Sequence, residues 1–108
     1  LREKTNPIMV IINNEGYTVE RAIHGPEAPY NDITTYHWDL VPAAMGGTEE
    51  TTLVLKARTP NELKQALATA EATRDKLVMV EVIMDRDDIP TTLKNFAASV
   101  AKKPQPKN

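Results

Sequence analysis

The chain has 108 residues, with 13 basic and 15 acidic side chains and a formal net charge of -2. This length suits one small domain, and the nearly balanced charge gives no field that would attract nucleic acid or an anionic membrane. The sequence contains no cysteine, which excludes disulfides, thiolate metal sites and a cysteine nucleophile, and which is compatible with a cytoplasmic protein.

Residues 1–7 have the pattern of the last turn of a helix that Asn6 and Pro7 bring to an end. Because a domain seldom begins at the end of a helix, we expect the chain to be the C-terminal piece of a longer polypeptide. The continuous apolar run 8–12 follows, and it predicts a central strand buried on both faces of a parallel sheet. This run is far shorter than the roughly 20 residues of a membrane span, so the chain is expected to be soluble.

A short helix is predicted over residues 18–23, with Thr18 as its N-cap and Gly25-Pro26 as its end. The loop 24–37 that follows is long and irregular. Its larger apolar and aromatic side chains predict that the loop is packed rather than exposed: Tyr30, Ile33, Tyr36 and Trp38. After the loop, Asp39 is expected to cap a short helix that ends at Gly46-Gly47.

The second half of the chain alternates strands and helices. A strand is predicted over 52–57, and a helix starts after it, with Thr59 as N-cap, Pro60 at the first helical position and Glu62 completing a capping box. The inward face of that helix is predicted to carry Leu63, Ala66, Leu67 and Ala70. A third strand is predicted over 77–84, with a partner expected for Glu81. A last helix over 89–101 is predicted to present Leu93, Phe96, Ala97 and Val100 on one face.

This order of elements predicts an α/β domain over residues 1–101, with three parallel strands joined by crossover helices. Three strands leave faces and edges to be covered, so further strands are expected upstream. Residues 102–108 are predicted to be a flexible tail, because they are charged and rich in proline.

Polar residues follow the first strand directly, where residues 13–16 read Asn-Asn-Glu-Gly. In open parallel α/β sheets, ligands bind beyond the carboxyl ends of the strands. The side-chain oxygen of Asn14 and the backbone carbonyl of Gly16 are hard, neutral donors of the kind that suits Mg²⁺. These four residues alone are still more typical of a simple turn after a strand.

The signal becomes specific over residues 13–33, which read NNEGYTVERAIHGPEAPYNDI. This sequence closely resembles the diphosphate-binding segment of the thiamine-diphosphate-dependent 2-oxo acid decarboxylases, the group that contains indolepyruvate, phenylpyruvate and pyruvate decarboxylases. The resemblance is sharp over residues 7–38 and continues through the order of elements to about residue 101. It implies the C-terminal part of a parallel-sheet domain that binds thiamine diphosphate and Mg²⁺. The family converts a 2-oxo acid into an aldehyde and CO₂, as a dimer or tetramer that clamps the cofactor between subunits.

The resemblance also implies roles for individual residues. It makes the Asn14 side chain and the Gly16 carbonyl ligands of Mg²⁺, places Tyr17 beside the cofactor, and makes Glu20 the active-site glutamate. A carboxylic acid buried enough to hold a proton near neutral pH can deliver that proton after CO₂ has left. The walls of the substrate pocket would include Val19 and Ile23, for which ordinary core packing is an equally good interpretation. The Gly-Asp-Gly that opens the family's motif has no counterpart in the chain, so the aspartate ligand is expected upstream.

Other interpretations remain open. The chain could belong to another thiamine-diphosphate enzyme, such as an acetolactate synthase, or could be a non-catalytic α/β module used for association. The spacing of His24 and His37 with Asp32 and Asp39 matches no compact metal-ligand motif, so packing and capping explain them better. The segment Gly46-Gly47-Thr48 lacks the lysine of a phosphate-binding loop. The last helix resembles the family's C-terminal helix, which shields the active site.

Overall fold

A computed structural model describes residue 1 and residues 3–101. The predicted tail, 102–108, lies outside the described residues. The strands are β1 (Ile8–Asn13), β2 (Thr52–Ala57) and β3 (Leu77–Ile83), and the helices are α1 (Thr18–His24), α2 (Val41–Ala44), α3 (Pro60–Ala72) and α4 (Thr91–Ala101), with 3₁₀ turns at Pro29–Asn31 and Trp38–Leu40. The chain divides into a sheet unit, residues 1–13 and 36–84, and a loop–helix unit, residues 14–35 and 85 onward.

The sheet unit contains a parallel sheet with the strand order β1-β3-β2. The central strand β3 carries the core residues Val78, Met79 and Val80, which are nearly completely buried. Helix α3 covers the sheet with Ala66 and Ala70, whose small side chains pack against the buried valines. The predicted α/β fold, with three parallel strands and helices between them, is therefore confirmed.

Among the described residues strand β1 lies at an edge of the sheet and not at the predicted central position. Within the described residues β1 pairs only with β3, and its apolar side chains are largely exposed, Val10 by 49% and Ile12 by 62%. A continuous apolar run indicates that a strand can be buried on both faces, but it does not specify which strand lies between two others. That position depends on pairing between distant parts of the chain, and it belongs to β3.

The start of helix α3 is as predicted. The Thr59 hydroxyl accepts a hydrogen bond from the backbone N–H of Glu62 at 3.2 Å, and the Glu62 carboxylate accepts one from the N–H of Arg58 at 2.7 Å. The Thr59 cap is thus as predicted, whereas the Glu62 carboxylate binds the N–H one residue before the N-cap and not that of Thr59 itself. On its inward face Ala66 and Ala70 are buried, whereas Leu67 is exposed.

Two other predicted helix caps were wrong. Tyr17 occupies the N-cap of α1, and the buried Thr18 instead donates its hydroxyl hydrogen bond to the carbonyl of Arg86 at 2.8 Å. Asp39 lies within a 3₁₀ turn before α2, and its carboxylate is 3.7 Å from the Lys56 ammonium group. In both cases the side chain that the local sequence pattern predicted to cap a helix contacts a residue distant in sequence instead.

Two further expectations need correction. Of the four side chains predicted to pack, Tyr30, Ile33 and Tyr36 are exposed, and only Trp38 is half-buried, with its ring centroid 5.3 Å from that of Tyr36 in an edge-to-face contact. On α4 only Ala97 is buried, while Phe96 of the same predicted face is exposed. The turn predicted near the start of the chain is not contradicted, since the N–H of Lys4 donates to the carbonyl of Leu1 at 3.2 Å. No helix in the described part of the chain is long and apolar enough to cross a membrane.

Candidate functional site

The loop that follows β1 has a backbone path that only glycine permits at one position. Gly16 has φ +149°, and a Cβ atom there would overlap the carbonyl oxygen of Asn31 and come to 2.5 Å from the Arg21 guanidinium. The N–H of Tyr17 donates to the same Asn31 carbonyl at 2.9 Å, which ties the start of α1 to the loop 24–37. The loop therefore closes tightly on its neighbours without any side chain at residue 16.

A buried arginine is hydrogen-bonded to the backbone of this loop. Arg21 is 3% exposed, and its guanidinium donates to the carbonyls of Glu15 at 2.9 Å, Asn14 at 3.3 Å and Asn31 at 3.3 Å. It also donates to the Asp32 carboxylate at 2.7 Å. One rigid, planar cation thus connects residues 14–15 with residues 31–32.

The Asp32 carboxylate is the counter-ion of this arginine. The hydrogen bond from Arg21 is the main reason that the pKa of Asp32 lies below its ordinary value; partial desolvation opposes this shift, and the nearby Arg86 and Arg21 charges add to it. The Arg86 guanidinium lies 3.5 Å from the same carboxylate oxygen. The negative charge of Asp32 is therefore matched to two arginines, one buried and one partly exposed.

We expect Asp32→Asn to make the fold less stable at neutral pH. We also expect the stability of the variant to change less with pH in the acid range. A carboxylate whose pKa is lower in the folded state stabilises the fold above the pKa of the unfolded chain, and that contribution disappears as the pH falls through the folded pKa. Urea midpoints measured between pH 7 and pH 3 should therefore converge for the wild type and the variant at the acid end. Asp88→Asn, at an exposed residue of the same unit, is the matched control, and equal midpoint differences at all pH values would contradict the prediction.

The two adjacent asparagines have different roles. Asn13 ends β1, and its amide donates to the buried Glu81 carboxylate at 2.9 Å, so its side chain is already engaged within the sheet unit. This carboxylate also lies 3.2 Å from the Lys56 ammonium group, which confirms the expected partner for Glu81. The half-buried Asn14 side chain shows no hydrogen bond within the described residues. Of the two, Asn14 is therefore the side chain free to bind a ligand.

The oxygen atoms that this loop leaves free are suitable ligands for a cation that also binds a diphosphate. Arg21 engages the carbonyls of Asn14 and Glu15, whereas no hydrogen bond is seen at the Gly16 carbonyl in the part of the chain that the structure describes. An amide oxygen and a carbonyl oxygen provide no negative charge, which suits Mg²⁺ whose remaining ligands are phosphate oxygens and one carboxylate. Among the described residues there is no group of three or more His, Asp or Glu side chains that could hold a metal alone.

Glu20 projects from α1, one turn before His24. Its carboxylate lies 3.4 Å from the Nε2 atom of His24, and its side chain is 45% exposed. The burial expected of a proton-donating carboxyl group is thus not provided by the described residues. Val19 and Tyr17 are also exposed, and Ile23 is half-buried. These side chains form a surface around Glu20 rather than an enclosed pocket.

Comparison with known proteins identifies the family relationship. No protein-family model matches the chain. It is 47% identical over 100 residues, 93% of its length, to the alpha-keto-acid decarboxylases of Mycobacterium tuberculosis strain H37Rv and Mycobacterium bovis strain AF2122/97. It is 49% identical over 92 residues to the alpha-keto-acid decarboxylase of Mycolicibacterium paratuberculosis. The chain is homologous to the alpha-keto-acid decarboxylases. It spans 18% of the length of the first of these relatives, so the homology concerns one segment of a much longer protein.

In this alpha-keto-acid decarboxylase homologue, the predicted site residues all lie in the loop–helix unit. Asn14, Gly16 and Tyr17 lie on the loop before α1, and Val19, Glu20 and Ile23 lie on α1 itself. Sequence reasoning missed Arg21 and Asp32, which hold the loop in place. The spacing of Arg21 three residues after Thr18 places both on one helix face, but the sequence does not show that this face is buried.

Proposed function

We propose that this chain provides the cation-binding loop and the proton-transfer carboxyl group of a thiamine-diphosphate-dependent 2-oxo acid decarboxylase. The observation that carries the proposal is the loop 14–16, where a close contact at Gly16 and the Arg21 hydrogen bonds leave the Asn14 amide and the Gly16 carbonyl free to bind Mg²⁺. Homology with the alpha-keto-acid decarboxylases over 93% of the chain supports the same reaction class.

Each of these site residues would have its own role in cofactor binding or proton transfer. Asn14 and Gly16 would hold Mg²⁺ against the cofactor diphosphate, with Tyr17 beside them on the exposed side of the loop. Thiamine diphosphate, when bound, supplies a sink for the electron pair that the departing CO₂ leaves behind. Glu20 would hold and transfer the proton that the product aldehyde requires.

Three further side chains on α1 would contact Glu20 or the substrate. His24 lies within 3.4 Å of the Glu20 carboxylate and would orient it. Val19 and Ile23, at i and i+4, can face one side of the helix beside Glu20 and would form part of the wall around the 2-oxo acid. Indolepyruvate, phenylpyruvate, pyruvate and branched-chain 2-oxo acids are the candidate substrates.

The remaining parts of the site would come from outside this chain. In this proposal a longer cytoplasmic polypeptide supplies the aspartate ligand of Mg²⁺ and the other walls of the pocket. A second subunit of a dimer or tetramer covers the exposed surface around Glu20. No partner other than the small-molecule substrate and further copies of the enzyme is required.

Cofactor binding by the full-length protein tests this function. We expect thiamine diphosphate to bind only with Mg²⁺ present, and we expect Asn14→Ala to weaken that binding by about 100-fold, because it removes a direct ligand whose supporting contacts alone usually contribute 10- to 100-fold. Isothermal titration calorimetry measures both affinities. Asn95→Ala, at an exposed position of α4, is the matched control and should bind as the wild type does.

Two results would decide against the proposal. Unchanged binding in Asn14→Ala would remove the assigned ligand, and a wild-type protein that binds no thiamine diphosphate would favour a non-catalytic module. Product analysis with 2-oxo acids separates the enzyme classes. Aldehyde and CO₂ support a decarboxylase, whereas a carbon–carbon coupled acid supports a synthase.

A further inference from the structure

We propose that Arg21 is a positioning residue for the cation site, because its guanidinium fixes the backbone that presents Asn14 and Gly16. This inference rests on the proposed function of the loop 14–16. It assigns a role to a residue that touches neither the cation nor the substrate. The role is to set the affinity for the divalent cation through the shape of the loop.

Among the described residues Arg21 donates to five acceptors, and two of these are backbone carbonyls of that loop. Its Nη1 atom donates to the carbonyl of Asn14 and its Nη2 atom to the carbonyl of Glu15, the two residues directly before Gly16. The Nη2 atom also reaches the carbonyl of Asn31 on the opposite segment. A guanidinium can make these contacts together because its donors lie in one plane at fixed angles. A lysine ammonium has three donors around a single point and cannot span them.

The loop needs this support because its backbone is strained. Glu15 has φ +60°, in the left-handed region that costs a residue with a side chain about 1–2 kcal/mol. Such a conformation persists only where the surroundings hold it. The hydrogen bond from Arg21 to the Glu15 carbonyl, at 2.9 Å, acts on the strained peptide itself. Without it, the residues around Gly16 would gain access to other backbone conformations.

The selection of carbonyls also follows from Arg21. Its hydrogen bonds engage the carbonyls of residues 14 and 15, and the next carbonyl, that of Gly16, is the one assigned to the cation. Mg²⁺ requires nearly ideal octahedral geometry, so a small displacement of this oxygen would weaken binding. A cation beside a cation site would normally be unfavourable, but the Asp32 carboxylate at 2.7 Å neutralises the guanidinium locally.

Binding of Mn²⁺ to the full-length protein with thiamine diphosphate tests this role, with free Mn²⁺ measured by electron paramagnetic resonance. We expect Arg21→Lys to weaken Mn²⁺ binding by about 10- to 100-fold, the range typical of residues that orient metal ligands. Turnover at saturating Mn²⁺ and cofactor should stay within about threefold of the wild type, because Arg21 does not take part in proton transfer. A loss of Mn²⁺ affinity without a loss of turnover distinguishes a residue that positions the cation ligands from one that takes part in the reaction.

The matched control is Thr18→Val. Thr18 is buried on the same face of α1 and donates to the Arg86 carbonyl, which Arg21 also reaches at 3.4 Å. The variant therefore removes one hydrogen bond of the same cluster but none of the Arg21 contacts to the loop 14–16. Mn²⁺ affinity should remain within about twofold of the wild type, below the tenfold or more expected for loss of a residue that orients metal ligands. If Thr18→Val weakens Mn²⁺ binding as much as Arg21→Lys, the effect is general destabilisation and the proposal is overturned.

Asp32→Asn provides a second test in case Arg21→Lys does not fold. This variant keeps the guanidinium but removes its charged acceptor, and we expect weaker Mn²⁺ binding in the same direction and by a smaller factor. If Arg21→Lys binds Mn²⁺ with wild-type affinity, the role of Arg21 is overturned while the proposed function stands. The same conclusion follows from wild-type affinity in Asp32→Asn when Arg21→Lys does not fold. Failure of the wild-type protein to bind Mn²⁺ with thiamine diphosphate would instead overturn the proposed function, and the inference with it.

Discussion

Glu20→Gln in the full-length protein should lower the turnover of 2-oxo acids by about 100-fold or more, the usual contribution of a positioned proton-transfer group. Glutamine keeps the shape of the side chain and can still contact His24, but it cannot hold or release the proton. Steady-state kinetics at saturating Mg²⁺ and thiamine diphosphate measure the effect, and cofactor affinity should change little because Glu20 is not a cation ligand.

The control for this variant is Glu27→Gln, the same substitution at an exposed residue of the loop 24–37. Turnover of Glu27→Gln should be close to that of the wild type. If Glu20→Gln retains turnover within about threefold, a role for Glu20 in proton transfer is unsupported, since such groups contribute far more. Because Glu20 is 45% exposed, its proposed role also requires that surfaces outside the described residues cover it in the working enzyme.

Gly16→Ala should disrupt both the loop and its cation binding. The new methyl group would overlap the Asn31 carbonyl oxygen, at a φ value of +149° that alanine rarely adopts. Strain and overpacking together are expected to lower the free energy of unfolding by about 3 kcal/mol or more. Urea denaturation measures this loss, and Mn²⁺ titration should show that binding is lost even under conditions where the variant remains folded.

Gly25→Ala is the control that separates the effect of the close contact at Gly16 from the effect of a positive φ value. Gly25 also has a positive φ, +105°, but nothing lies within 4 Å of a Cβ atom placed there. Its substitution should cost only the conformational strain, about 1–2 kcal/mol, and leave Mn²⁺ binding intact. Equal losses in the two alanine variants would show that the close contact at Gly16 has no effect of its own.

Comparison of particular residues shows which features could be predicted from sequence. The Thr59 cap was predicted correctly because Thr59 and Glu62 are three residues apart. The three parallel strands were also predicted correctly, because apolar runs and helical spacing are local patterns. The edge position of β1 and the contacts of Thr18 and Asp39 were not, because each depends on a residue distant in the chain. The hydrogen bonds of Arg21 belong to this second class, since its acceptors come from three separate segments.

The ion pair around Glu81 also has a consequence for how the strands find their alignment during folding. Lys56 and Glu81 are directly paired residues of β2 and β3, and Asn13 of β1 donates to the same carboxylate. A shift of either neighbouring strand by one residue would turn its polar side chain to the opposite face and leave a buried carboxylate without that partner. This acidic side chain therefore adds a penalty for misaligned strands to the one that the buried apolar residues of β3 already impose.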